Sequence, residues 1–197
     1  MHYANLLIQF GLLVLTLNEK TVLLAIAAAL IAVTYPLMKR FTHFPQVYLG
    51  AAFTWSVPMA YAAHLDTVPV VAWWLFVAGV FWVVAYDTFY AMVDRDDDLK
   101  IGIKSTAVLF GSWDRRIIGA CQVLVLGLLV YIGSLLSMSF WYYLGVGAAS
   151  LFAVYQQYIT KDRQRDACFK AFLNNNWFGL MIFCGILLHY TFAAPAA

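Results

Sequence analysis

The stretch VPVVAWWLFVAGVFWVVAYDTFYAMVDRDDDLK, residues 68–100, decides the fold. No charged side chain interrupts it between Val68 and Tyr86, and then five aspartates arrive between Asp87 and Asp98. A membrane-spanning helix needs about 20 predominantly apolar residues. This segment supplies them before it turns acidic. Its apolar residues run continuously rather than alternating, which excludes a transmembrane barrel strand. The reading is an apolar helix, predicted over 68–93, that presents carboxylates at one membrane surface.

The rest of the chain agrees. Of its 197 residues 64% are hydrophobic and only 11% charged, and the mean hydropathy is +0.79. Soluble domains carry about 25% charged residues, so this chain must have lipid as part of its solvent. Further spans are predicted over 3–17 (short), 21–38, 47–64, 117–138, 140–160 and 173–193. The fold class is therefore all-α, a polytopic transmembrane bundle of about seven helices forming one domain over 1–197. Pro36 and Pro58 fall inside spans and are expected to kink them, because each lacks a backbone donor. Trp73, Trp74, Trp141, Tyr142 and Tyr143 fall near span ends, where amphipathic rings favour the headgroup zone. The net charge of +2 offers no basic field for nucleic acid. Cys121, Cys168 and Cys184 are scattered, without the spacing of a disulfide framework or a zinc site.

Charge fixes the orientation. Loops two, four and six of this topology hold eleven of the twelve Lys and Arg residues, and only Lys20 falls on the other side. The positive-inside rule places those loops in the cytoplasm.

At about 100° per residue, Asp94 and Asp98 fall within about 20° of Asp87, so three carboxylates share one helix stripe. Tyr90 lies to one side. Asp96 and Asp97 point elsewhere and read as solvated charges. Like charges so arranged repel, and a carboxylate at membrane depth is costly to desolvate. A cation relieves both costs. Mg²⁺ is the natural candidate, because it is held by one or two carboxylates together with substrate phosphates. Lys39, Arg40, Lys100 and Lys104 lie on the same membrane face and can neutralise a diphosphate. Tyr35 and Lys39, four residues apart, share a helix face. Asn174, Asn175 and Asn176 read mainly as caps opening the last helix, with a polar contact to substrate as the lesser option.

These motifs resemble the UbiA superfamily of intramembrane prenyltransferases. Asp87-x-x-Tyr90-x-x-x-Asp94-x-x-x-Asp98 looks like the family's second aspartate-rich motif, and Tyr35-x-x-x-Lys39 like its YxxxK element. The strings YDTFYAMVDRDDDLKIGIKSTAVLFG (86–111), YPLMKRFTHFPQVYLGAAF (35–53) and CFKAFLNNNWFGL (168–180) are similar to the branch that prenylates 4-hydroxybenzoate in ubiquinone synthesis. The resemblance implies a polyprenyl diphosphate donor, 4-hydroxybenzoate as acceptor, Mg²⁺ as cofactor, and a bacterial inner-membrane enzyme whose site faces the cytoplasm. It implies Asp94 and Asp98 as metal ligands, with Asp87 as a third ligand or a polariser of the acceptor. Lys39, Arg40 and Lys104 would grip diphosphate, and Tyr35 and Tyr90 would position substrate or stabilise an allylic cation.

The family also has about nine helices and an earlier NDxxDxxxD-type motif. Only Glu19 and Asp66 are acidic before Tyr86, and neither matches it. The expectation is a chain that begins near the family's third helix. The alternatives are a catalytically incomplete piece of such an enzyme, or a family member with another aromatic acceptor. An ion-coupled transporter would need acidic residues deep in several spans, and here only Asp87 lies inside one.

Overall fold

A computed structural model describes residues 11–12 and 16–193. The predicted span over 3–17 lies largely outside them. Among the described residues every regular element is helical. Helix α1 runs Glu19–Phe41, α2 Pro45–Thr54, α3 Ser56–Leu65, α4 Val70–Ile101, α5 Thr106–Phe110, α6 Asp114–Leu135, α7 Phe140–Ile159 and α8 Arg165–Phe192.

Local chemistry accounts for the ends. Asn18 caps α1 by accepting the Thr21 N–H at 2.9 Å, and Lys39 and Arg40 occupy its last turn, where the helix dipole favours cations. Pro45 sits in the first turn of α2, where its missing N–H costs nothing. Helix α4 stops at Gly102, whose φ of 71° puts the backbone in the left-handed region that glycine adopts freely.

The predicted span over 47–64 is two ten-residue helices, interrupted at Trp55. Pro58 supplies the reason, since it cannot donate to the carbonyl of Thr54. Pro36, by contrast, lies within the continuous α1. The two half-helices still make one traverse. Gln46, in α2, bonds the Thr106 N–H, whereas Asp66, just past α3, pairs with Lys20 at the opposite end at 3.5 Å.

Helix α4 is the centre of the bundle and packs against α2, α6 and α8. Its 32 residues span about 48 Å at 1.5 Å per residue. The hydrocarbon layer is about 30 Å thick. The helix therefore outruns the lipid core, and the Asp94–Asp98 turn can stand among headgroups and water. One apolar cluster, including Phe89, Met92, Ile118 and Cys168, lies towards that end. A second, including Val125, Tyr142, Val146 and Phe178, fills the other half.

Lipid replaces water around the rest. Val33, Leu151, Val154 and Tyr190 are each at least 68% exposed, which a surface in water would not sustain over such an area. Four stretches, Glu19–Phe41, Val70–Ile101, Thr106–Leu135 and Arg165–Phe192, are long and apolar enough to cross a bilayer on length and composition. Helix α7 has the length but is diluted by Tyr, Trp and Gln. The protein is an integral membrane protein.

Helices α7 and α8 approach through glycine. A Cβ on Gly145 would stand 2.6 Å from the Met181 carbonyl oxygen and 2.7 Å from Gly185 Cα. Backbone cannot yield as a side chain can, so small residues here permit the contact. Gly145→Ala is expected to lower stability by roughly 1–3 kcal/mol through overpacking. Gly147→Ala, with nothing within 4 Å of its Cβ, should change little. Thermal unfolding of both variants in detergent checks this; equal loss would contradict the packing.

Candidate active site

The continuous α4 keeps Asp87, Asp94 and Asp98 on one helix, so the stripe expected from their spacing exists. Asp98 is buried, whereas Asp87 and Asp94 are half-buried. Lys39, delivered by the last turn of α1, acts electrostatically on both Asp87 and Asp98. One ammonium thus acts on two carboxylates about 16 Å apart along the helix axis.

The loop that follows α4 locks this arrangement. Lys104 N–H donates to the Lys39 carbonyl at 3.1 Å, and its Nζ to the Phe41 carbonyl at 3.4 Å. The ends of α1 and α4 are therefore tied through backbone as well as charge. Ser105, buried in this loop, caps α5 by accepting the Val108 N–H at 3.3 Å. Arg40 is exposed and has no hydrogen bond or ion pair among the described residues, so it is free to meet an anion.

Gln46 escaped sequence reasoning. It is 3% exposed, accepts the Thr106 N–H at 3.0 Å through Oε1, and contributes to the surroundings of Asp87. Thr106 in turn shares a 2.8 Å hydroxyl contact with Thr88. A buried amide among apolar residues 45–53 was the available signal.

Asp87 also couples electrostatically to Tyr35 and Tyr86. Tyr86 lines a cavity of about 390 Å³ between α2, α4 and α8, together with Phe53, Trp82, Phe172, Asn175 and Asn176. Tyr90 turns towards α8 and packs on Phe172 with ring centres 5.1 Å apart.

The asparagines are not caps. Helix α8 begins at Arg165, nine residues before Asn174. An acidic and basic first turn was mistaken for loop because charges at 165, 166 and 170 hid the helix start. Asn175 instead accepts the Trp82 indole N–H at 2.9 Å, and Asn174 accepts from Gln156 at 3.2 Å. Asn175 and Asn176 line the cavity, which favours the reading as polar contacts.

The three stripe carboxylates do not converge on one point. Asp87 and Asp94 are separated by about 10 Å of helix rise. Among the described residues no three His, Cys, Asp or Glu side chains gather closely enough to hold an ion by themselves. Asp94 and Asp98, one turn apart and mutually repelling, offer two carboxylates. That donor set fits a hard divalent ion whose remaining ligands are phosphate oxygens and water.

Behind the site lies a buried ion cluster. Asp114, fully buried, pairs with Arg95 and, at 2.9 Å, with Arg163. Its hydrogen bond raises the Arg163 pKa above the ordinary value. Arg95 also donates to the carbonyls of Ala107 and Gly111 at 3.1 and 3.3 Å. Because Arg95 is about 100° round the helix from Asp94, anchoring it fixes the rotation of the acidic turn. Asp97, in contrast, makes exposed pairs with Lys100 and Arg165 at 3.2 and 3.1 Å.

The sequence profile of the UbiA prenyltransferase family matches residues 2–186. The chain is 56% identical over 185 residues to a 4-hydroxybenzoate octaprenyltransferase of Aeromonas salmonicida (strain A449), covering 93% of this chain and 63% of that protein. It is 57% identical over 188 residues to a 4-hydroxybenzoate octaprenyltransferase of Enterobacter sp. (strain 638), covering 95% and 65%. The chain thus spans less than two thirds of these relatives. Among solved structures it superposes on a UbiA homolog from Aeropyrum pernix K1 with a TM-score of 0.72 at 20% identity, covering 90% and 68%. A second, from work on digeranylgeranylglyceryl phosphate synthase in membranes, gives 0.76 at 16%, covering 94% and 67%. These two likenesses speak to fold.

Removing one partner from a buried ion cluster strands the others without compensation. Asp114→Ala is expected to destabilise by about 3–5 kcal/mol, while Asp97→Ala leaves the melting temperature nearly unchanged. Denaturation in detergent reads both, and similar behaviour of the two would refute the clamp.

Proposed function

The chain belongs to the UbiA prenyltransferase family, and from that premise we propose that it transfers a polyprenyl group from polyprenyl diphosphate to 4-hydroxybenzoate, in ubiquinone biosynthesis. The bond forms at the ring carbon ortho to the hydroxyl. One observation carries the reading: Lys39 acts electrostatically on Asp87 and Asp98, and Asp87 acts in turn on Tyr86, which lines the cavity. The names of relatives more than half identical to the chain support the choice of acceptor.

Each end of the reaction finds its place. Lys39, Arg40 and Lys104 bind the diphosphate, whose charge grows as the allylic C–O bond breaks and the electron pair leaves with oxygen. Asp94 and Asp98 would hold Mg²⁺, which when bound supplies further positive charge to the departing diphosphate. The aromatic walls of the cavity, Tyr86 and Phe172, exclude water from the allylic cation and attract it through their ring faces. The acceptor ring lies against Tyr86, Asn175 and Asn176, and its ortho carbon forms the new C–C bond. Asp87, coupled to Tyr35 and Tyr86, polarises the acceptor hydroxyl, and loss of the ring proton restores aromaticity. The distance along the helix from Asp94 favours this role for Asp87 over that of a third metal ligand. Tyr35 and Tyr90 complete the aromatic surroundings.

The setting suits the substrates. A long hydrocarbon belongs in lipid, and a diphosphate belongs at a wet surface with cations. Loops rich in Lys and Arg support a cytoplasmic side for that surface, and the reading puts it on a bacterial inner membrane.

Asp94→Asn and Asp98→Asn should each lower prenyl transfer in membranes by roughly 10²–10³-fold, the scale of losing one preorganised charge contact at a reacting centre. Asp96→Asn should remain near wild type. Radiolabelled 4-hydroxybenzoate in membranes carrying the protein reads the product. Wild-type rates in the Asp94 and Asp98 variants would remove the assignment.

A further inference from the structure

Two cavities in this bundle meet at one tryptophan. The first is the cavity of about 390 Å³ beside Tyr86, with Asn175 and Asn176 in its wall. The second, about 250 Å³, is lined by hydrocarbon side chains that include Val125, Leu129, Ile182 and Ile186. Trp82 and Gly179 line both. We propose that Trp82 is a partition that admits an isoprenoid chain from the first cavity into the second, and that Asn175 and Gly179 set its position and so select the chain lengths accepted. The proposal rests on the prenyl-transfer reading above.

The indole is held on several sides. Its Nε1–H donates to Asn175 Oδ1 at 2.9 Å. Its ring stacks on Phe178 at 6.1 Å and meets Tyr86 edge-on at 5.8 Å. A Cβ on Gly179 would stand 3.1 and 3.2 Å from two of its ring carbons. Gly179 is helical, where glycine weakens the helix without a conformational reason. Space for the indole is the reason the structure offers. Asn175 and Gly179, four apart on α8, present the latch and the notch on one face.

Size and chemistry identify the occupant. A cavity of about 150 Å³ suffices for a benzene-sized ring, so the first cavity takes an aromatic acceptor with a five-carbon unit beside it. By the same measure the second takes on the order of two five-carbon units. Its walls carry no charged side chain. Phe183 and Ile186, 59% and 37% exposed, place its outer edge on the lipid-facing surface. A longer chain would continue from there into the bilayer, so the chamber can pass a tail that it could never enclose.

The test uses membranes carrying the protein and prenyl diphosphates that bear a diazirine on the third isoprene unit, with the labelled residues read by mass spectrometry. Wild type should be labelled in the chamber, at Ile182 or Ile186. Gly179→Leu should lower chamber labelling roughly tenfold, the scale on which an apolar pocket rejects excess bulk, and move the label to Phe53 or Phe172. Trp82→Ala should raise it and narrow the preference between donors of two and eight isoprene units. That second variant carries the test if the first does not accumulate. Label absent from the wild-type chamber, or chamber labelling indifferent to both substitutions, overturns the proposal. Labelling that follows the partition while no 4-hydroxybenzoate is prenylated would refute the reaction and leave the partition standing. Prenylation with indifferent labelling would do the reverse.

Discussion

An isolated carboxylate near the end of an apolar helix is unstable unless a cation or water reaches it. The charged end of this molecule is organised around that constraint. Lys39 answers it for Asp87 and Asp98 together, and Lys104 fastens the strand of chain that brings Lys39 there. One ammonium cannot neutralise three carboxylates. Negative charge at Asp94 and Asp98 is left over at the end of the bundle where α1 carries Arg40, which has no ion pair among the described residues. On the proposed reading, a metal ion joined to a diphosphate would balance both at once, which neither ligand would do alone.

The clamp at Asp114 serves the same end by a different route. Buried ion pairs are weak sources of stability but enforce one arrangement when every member is satisfied. Here Asp114 receives Arg95 from α4 and Arg163 from the turn before α8. It therefore fixes how α4 is rotated where it leaves the membrane. Arg95 is then committed to the α6 side, while Lys39 of α1 acts on Asp87 and Asp98. The polar network Gln122, Gln156, Gln157 and Asn174 does comparable work within the bundle, joining α6, α7 and α8 through hydrogen bonds of 2.8–3.2 Å between side-chain amides.

Much of this was legible in the residues themselves. Apolar length gave the helices, since burying backbone in lipid leaves the chain few choices. The charged loops group together: Lys39, Lys104, Arg115, Arg163 and Arg165 lie at one end of the bundle. Periodicity put Asp87, Asp94 and Asp98 on one stripe. What it could not convey was reach: a shared angle says nothing of the rise between residues, about 10 Å from Asp87 to Asp94, and that rise separates the two roles open to Asp87. The break at Trp55 was hidden because Pro36 and Pro58 look alike in sequence, while only the second interrupts its helix. The asparagines of α8 were misread because charge near a helix start resembles a loop. Gln46, Asp114 and Trp82 were missed for a common reason. Each acts through a partner more than ten residues away, which no local pattern encodes.

Everything at the charged end turns on whether the acidic turn and Lys39 bind a diphosphate through a divalent ion. Calorimetry of geranyl diphosphate binding to the detergent-solubilised protein, with Mg²⁺ and after chelation, measures this without requiring turnover. The account predicts binding that needs Mg²⁺ and that Lys39→Met weakens severely. Equal affinity with and without the metal would contradict it.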